Sequence, residues 1–138
     1  MIVLFLVGSV VVVADALVVT DEERLDAFVE SVTGEVESRR IDAALGYVDP
    51  ARVPVEILVG DDTAYYEEGH EVELAERARQ TLAPFQGDDV RLLQKSIEID
   101  GERALVALRI GTRDGTANVQ FRMVRRGDGW LVSRVRVL

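Results

Sequence analysis

Five side chains that could handle protons or hydrogen-bond a substrate fall within ten residues: Asp61, Asp62, Tyr65, Tyr66 and His70. A carboxylate serves as a general base when burial raises its pKa toward working pH. Clustering is what singles these residues out. The bland alternative is a polar loop leading to a helix, with both tyrosines packed as amphipathic covers. Just beyond, Glu67, Glu68, Glu71 and Glu73 crowd one helix start, where carboxylates interact favourably with the helix N-terminus. Divalent metal binding is the other chemistry such a group offers. The chain has one His and no Cys, which argues against structural zinc and excludes thiol redox chemistry. It shows no Gly-rich phosphate loop, no His-containing metal spacing and no Ser/His/Asp set. No metal and no cofactor is expected.

Charge narrows the partners. The net charge is −9, unevenly spread. Residues 1–88 carry 6 basic and 19 acidic groups, net −13, and residues 89–138 carry 10 basic and 6 acidic groups, net +4. An acidic first half argues against general nucleic-acid binding. Arg122, Arg125, Arg126, Arg134 and Arg136 form either a basic patch for an acidic partner or, more simply, the solvent face of strands.

The elements that must position these groups are clearest in the last third. Ala117, Val119, Phe121 and Met123 alternate with Thr116, Asn118, Gln120 and Arg122, a period of two that makes one face dry and one wet. The same beat runs through Ile97 and Ile99 and through Val135 and Val137. Residues 104–110 (ALVALRI) are apolar on both faces until Arg109 and belong centrally. Asp100-Gly101, Asp114-Gly115 and Gly127-Asp128-Gly129 mark turns, the first read as an Asp-Gly hairpin with both residues at positive φ. Four strands near 90–99, 102–111, 115–126 and 129–137 form a meander. Its inward face offers Ile97, Ile99, Val106, Leu108, Ile110, Val119, Phe121, Met123, Val135 and Val137, broken by Ser133 alone. An almost wholly apolar face suits a filled core or an apolar ligand better than a catalytic pocket, which needs convergent polar groups. Trp130 and Val132 fall in the opposite phase, as if on the outer face, and motivate a homodimer through it.

Upstream, Thr20 and Glu23 make a capping box for a helix carrying Leu25, Phe28, Val29, Val32 and Val36 on one stripe. A short helix at Ile41–Tyr47 ends at Asp49-Pro50. Val53–Val59 reads as a strand and Gly60-Asp61-Asp62 as a turn. A third helix runs from Glu67 to Leu82, with Val72, Ala75, Ala78 and Leu82 inward, and ends at Pro84 and Gly87.

Residues 2–20 hold no Lys or Arg and only Asp15 is charged. Nineteen residues of helix span about 28 Å, close to a bilayer core. This segment is expected to be a single-pass anchor, with the membrane contacted through residues 2–19. A cleaved signal peptide, with Ala14-Asp15-Ala16 at the cleavage site, and a buried Val-rich strand are the alternatives. The chain thus divides into residues 1–20, anchor or signal-like, and residues 21–138, one domain, which the orientation assigned to the anchor puts outside the cytoplasm.

The expected fold class is α+β: a curved antiparallel sheet wrapped around N-terminal helices, preceded by one apolar helix. This order, together with LDAFVESVTGEVESRRIDAALGYVD and the closing GDGWLVSRVRVL, resembles the nuclear transport factor 2-like superfamily over about residues 20–138. That is the cone-shaped roll of ketosteroid isomerases and polyketide cyclases. Enzymes of that superfamily work in the mouth of the cone with a carboxylate base and a Tyr, Asp or His that polarises the substrate. The resemblance therefore implies an isomerase, dehydratase or hydrolase built from Asp61 or Asp62 with Tyr65, Tyr66 or His70. Membrane-anchored proteins of similar fold, in type IV secretion and among Mce-associated proteins, imply instead a non-enzymatic tethered domain that binds a protein partner or helps assemble an envelope complex. That is the reading favoured here. A binder of a small apolar ligand in the cone stands beside it.

Overall fold

A computed structural model describes residues 19–138, and the apolar segment assigned above to an anchor lies outside them, apart from its last two residues. Helix α1, Asp21–Val32, opens as the sequence requires. The Thr20 hydroxyl accepts from the Glu23 backbone N–H at 3.2 Å, and the Glu23 carboxylate accepts from the Thr20 N–H at 3.1 Å. Its apolar stripe buries Leu25, Phe28 and Val29. A two-residue strand β1, Gly34–Glu35, and helix α2, Ser38–Leu45, follow. Then come strands β2, Val55–Val59, and β3, Asp62–Tyr66, and helix α3, Glu71–Leu82. The meander completes the chain as β4, Asp89–Asp100, β5, Arg103–Thr112, β6, Gly115–Arg126, and β7, Gly129–Val137.

These strands make one seven-stranded sheet in the order β1-β4-β5-β6-β7-β2-β3. The sheet is not purely antiparallel, because β2 runs parallel to β7. Among the described residues, no helix is long and apolar enough to cross a membrane.

The first helix ends at Val32, so Val36 lies beyond it, and the second runs Ser38–Leu45 rather than Ile41–Tyr47. Three larger expectations change. First, residues 62–66 form a strand, and α3 begins at Glu71 rather than Glu67. Val59 pairs with Asp62, so the connection is the two-residue loop Gly60-Asp61 with Gly60 at φ 59°. Glycine first in a two-residue loop is the arrangement that matches strand twist. The β4–β5 turn repeats it: Asp100 pairs with Arg103, and only Gly101 takes positive φ.

Second, Trp130 and Val132 are not on the outer face; they are 3% and 2% exposed. The cause is a β-bulge. Arg122 pairs with Arg134 but Met123 pairs with Val132, so Ser133 is the extra residue. One extra residue reverses the alternation. Trp130, Val132, Val135 and Val137 therefore share the concave face, and the residues that motivated an outer-face dimer are in the core.

Third, the five arginines do not make one patch. Arg125 pairs across the ladder with Trp130, on the concave side. Its guanidinium lies 5.1 Å from the Trp130 ring and donates to Asp21 at the start of α1. Trp130 Nε1 donates to the same carboxylate at 3.2 Å. Arg134 is held by Glu56 at 3.1 Å, while Arg122, Arg126 and Arg136 stay exposed on the strands. Solvent-face residues, the simpler reading, describes four of the five.

The core lies between α1 and the concave face. Phe28 is 1% exposed and meets Tyr47 and Phe121 edge-on, with centroids 5.0 and 4.9 Å apart. Leu25, Val106, Met123 and Val55 close around it, each at most 1% exposed. The space under α1 is filled by these side chains.

Candidate functional site

The filled region stops at the β2–β3 hairpin. Cross-strand partners share a face, so Val55, Ile57 and Val59 stand beside Tyr66, Ala64 and Asp62 on the concave side. Helix α3 returns antiparallel over this hairpin after the turn at residues 67–70. It buries only Leu74; Ala75, Ala78 and Leu82 are half-buried and Val72 is 70% exposed. The inward stripe is thus Leu74, Ala78 and Leu82, not one beginning at Val72. Between hairpin and helix runs a groove of about 620 Å³. One wall is Ile57, Ala64 and Tyr66, and the other Leu74, Ala78 and Leu82. Tyr66 and Leu74, at 5% and 6% exposed, close one end. At the other lie Val59, Asp62 and Thr81, all exposed, with Arg77 along the lip. The groove grades from a dry apolar end to a polar mouth.

The five candidate residues are not brought together. Asp62 and Tyr66 both line the groove, but four steps along an extended strand put them about 13 Å apart. They cannot act on one reacting atom. Tyr65 points to the opposite face of the hairpin and is 57% exposed. Asp61 sits in the exposed turn. His70 is the N-cap of α3, and its Nδ1 accepts from the Glu67 N–H at 3.2 Å, so it serves the loop.

The carboxylates at the helix start also have a local role. Both oxygens of Glu71 accept from the Gly69 N–H, each at 3.1 Å. The backbone N–H of Glu71 itself and that of Gly69 hold this carboxyl below the ordinary glutamate range. No group of three or more His, Asp or Glu side chains is arranged to hold a metal among the described residues.

The sequence reading missed Arg77 and Thr81 as site residues. Their signal was present: with Leu74, Ala78 and Leu82 they complete one helix face at i, i+3, i+4, i+7 and i+8. A second depression, of about 650 Å³, lies on the convex face among Glu98, Asp100, Arg103, Arg122 and Arg126. Its rim is exposed charged side chains on adjacent strands, and among the described residues no helix backs it.

The arrangement has known counterparts. A de novo designed protein with a curved β-sheet matches with TM-score 0.62 at 14% identity, over 86% of this chain and 98% of the other. An NTF2-like protein with a cystatin-like fold from Novosphingobium aromaticivorans matches with TM-score 0.60 at 14% identity, over 95% and 86%. The fold is NTF2-like. A ketosteroid-isomerase-like protein from Shewanella frigidimarina matches with TM-score 0.55, again at 14% identity, over 72% and 89%. At this identity the likeness shows the fold alone, and fold does not fix function. No sequence family and no curated protein matches the chain.

Proposed function

We propose that this domain binds a small, largely apolar molecule in the groove between the β2–β3 hairpin and α3. The observation that carries the reading is the groove itself. It has the size of a small-molecule site, two apolar walls and a few polar groups at one end. Acid–base catalysis by Asp61 or Asp62 with Tyr65, Tyr66 or His70 is the less favoured use, because those groups do not converge. The solved ketosteroid-isomerase-like neighbour keeps it as the alternative.

Binding of the neutral fluorescent probe Nile red to the full chain tests this. Saturable one-to-one binding is expected. Ala78→Trp, which places a large ring in the groove from a half-buried position, should abolish it while the protein stays folded. Undiminished binding by the folded variant would refute the reading.

The apolar stretch at residues 2–19, taken as an anchor, would tether such a binder to a membrane and hold its domain outside the cytoplasm. Cell fractionation compares the full chain with residues 21–138. The full chain should sediment with membranes and the shorter one should not; equal partition would remove the anchor. A protein partner or an assembly role for the tethered domain would then be sought only if the anchor holds.

A further inference from the structure

Resting on the groove reading above, we infer that the bound molecule is a cationic amphiphile, with its apolar tail laid along the groove and an ammonium head at the mouth beside Asp62. The tail follows from the grading of the walls. From the closed end at Leu74 to the mouth at Leu82, α3 advances eight residues, about 12 Å. Apolar side chains line both walls over that length, so they match an extended hydrocarbon segment rather than a compact polar molecule.

The head follows from charge. Residues 56–82 carry eight carboxylates against two arginines, and the neighbouring strand arginines Arg134 and Arg136 stand beside Glu56 and Leu58 on the opposite face of the sheet, so the charge around the hairpin favours cations over anions. Within the groove the charged groups are Asp62 and Arg77, and neither is in an ion pair among the described residues. Their surroundings differ. Arg77 follows Glu73 by one helical turn, the i, i+4 spacing at which a carboxylate supports an arginine. The other arginine of α3, Arg79, is taken by Asp42 at 3.0 Å. Asp62 has no cation on its own strand face, where Ala64 follows, and its cross-strand partner is Val59. Arg77 thus has a carboxylate one turn away on its own helix, while Asp62 has no cation beside it on its strand face.

Displacement of Nile red from the full chain by three ten-carbon amphiphiles, each below its micelle concentration, tests the head group. The probes are decylammonium, decanoate and decyl glucoside. Decylammonium should bind tightest. Asp62→Asn should weaken it by about fivefold, the size of a partly exposed ion pair, and leave decyl glucoside unchanged. Arg77→Gln, which removes the positive charge from the lip, should leave decylammonium the tightest of the three. The preference should shrink as salt is raised. Equal binding of all three would overturn the head assignment and leave the groove reading standing. Tighter binding of decanoate, lost in Arg77→Gln, would reverse the assignment. If no amphiphile displaces Nile red, the inference fails. The Ala78→Trp response then decides separately whether the groove reading fails with it.

Discussion

Deleting Ser133 tests the assignment of the concave face most directly. Removal of Ser133 places Val132 directly before Arg134, in the register Met123 with Val132 and Arg122 with Arg134. Trp130, Val132, Val135 and Val137 then alternate regularly and stay on the concave face. The deletion removes the local bend and one exposed hydrogen bond, from Ser133 Oγ to the Arg122 carbonyl, so it should cost no more than about 2 kcal/mol. If β7 were instead unbulged, with Ser133 inward, the same deletion would move Trp130 and Val132 from one face to the other. An aromatic side chain buries about 150–250 Å², worth about 4–6 kcal/mol at about 25 cal/mol per Å², and Val132 adds about 1.5 kcal/mol. That exchange would appear as a large change in stability and in the emission of Trp130. Ser133→Ala keeps the bulge and loses the same hydrogen bond, so it should cost under about 1 kcal/mol. Urea unfolding followed by the emission of Trp130, the single tryptophan, measures both. If the deletion changes stability by more than about 3 kcal/mol and shifts the emission, the bulge is not at Ser133 and the reasoning is wrong.

Three further outcomes follow from the packing. Asp21→Ala removes the acceptor shared by Arg125 and Trp130 and should cost about 1–2 kcal/mol in urea unfolding, with a shift in Trp130 emission; an unchanged midpoint would show that the pair contributes nothing. Leu74→Ala empties the closed end of the groove and should cost about 2–3 kcal/mol, while a cost under 0.5 kcal/mol would mean α3 is not anchored there. For Glu71, whose folded pKa lies below its unfolded value, the contribution is fully present above the unfolded value and lost as pH falls through the folded one. Glu71→Gln should therefore lower the melting temperature slightly at neutral pH and not in strong acid, and a difference that persists in acid would exclude the charge as its cause.

What could be read in the chain was local. The capping box at Thr20 and Glu23 acts over three residues, and the period-two strands of β4, β5 and β6 declare their own face. What could not be read depended on one residue or on distant ones. A single bulged Ser133 moved Trp130 and Val132 from one side of the sheet to the other. Strand β3 carries Asp62, Thr63, Ala64, Tyr65 and Tyr66, whose inward members are an acid, a small residue and an aromatic. That is no hydrophobic alternation, although the Gly60-Asp61 loop was a hairpin signal. The candidate site failed for the same reason. Five groups near one another in sequence were divided between two faces of a strand, a turn and a helix cap, because extended backbone separates neighbours rather than gathering them.

The position of the groove follows from side-chain size. Under α1 the facing positions are Phe28, Leu25, Met123 and Phe121, large enough to meet across the gap. Between β3 and α3 the corresponding positions are Ala64 and Ala78, and the gap stays open. Filling such a gap with a larger apolar side chain ordinarily stabilises a protein when nothing depends on the space. Substitution of Ala78 by Leu thus weighs two descriptions of the same groove. If the variant gains stability and still binds Nile red as the parent does, the alanines are slack in the packing. If it gains stability and loses binding, the space is what the alanines are kept for, and the protein gives up core packing at the hairpin to hold a ligand there.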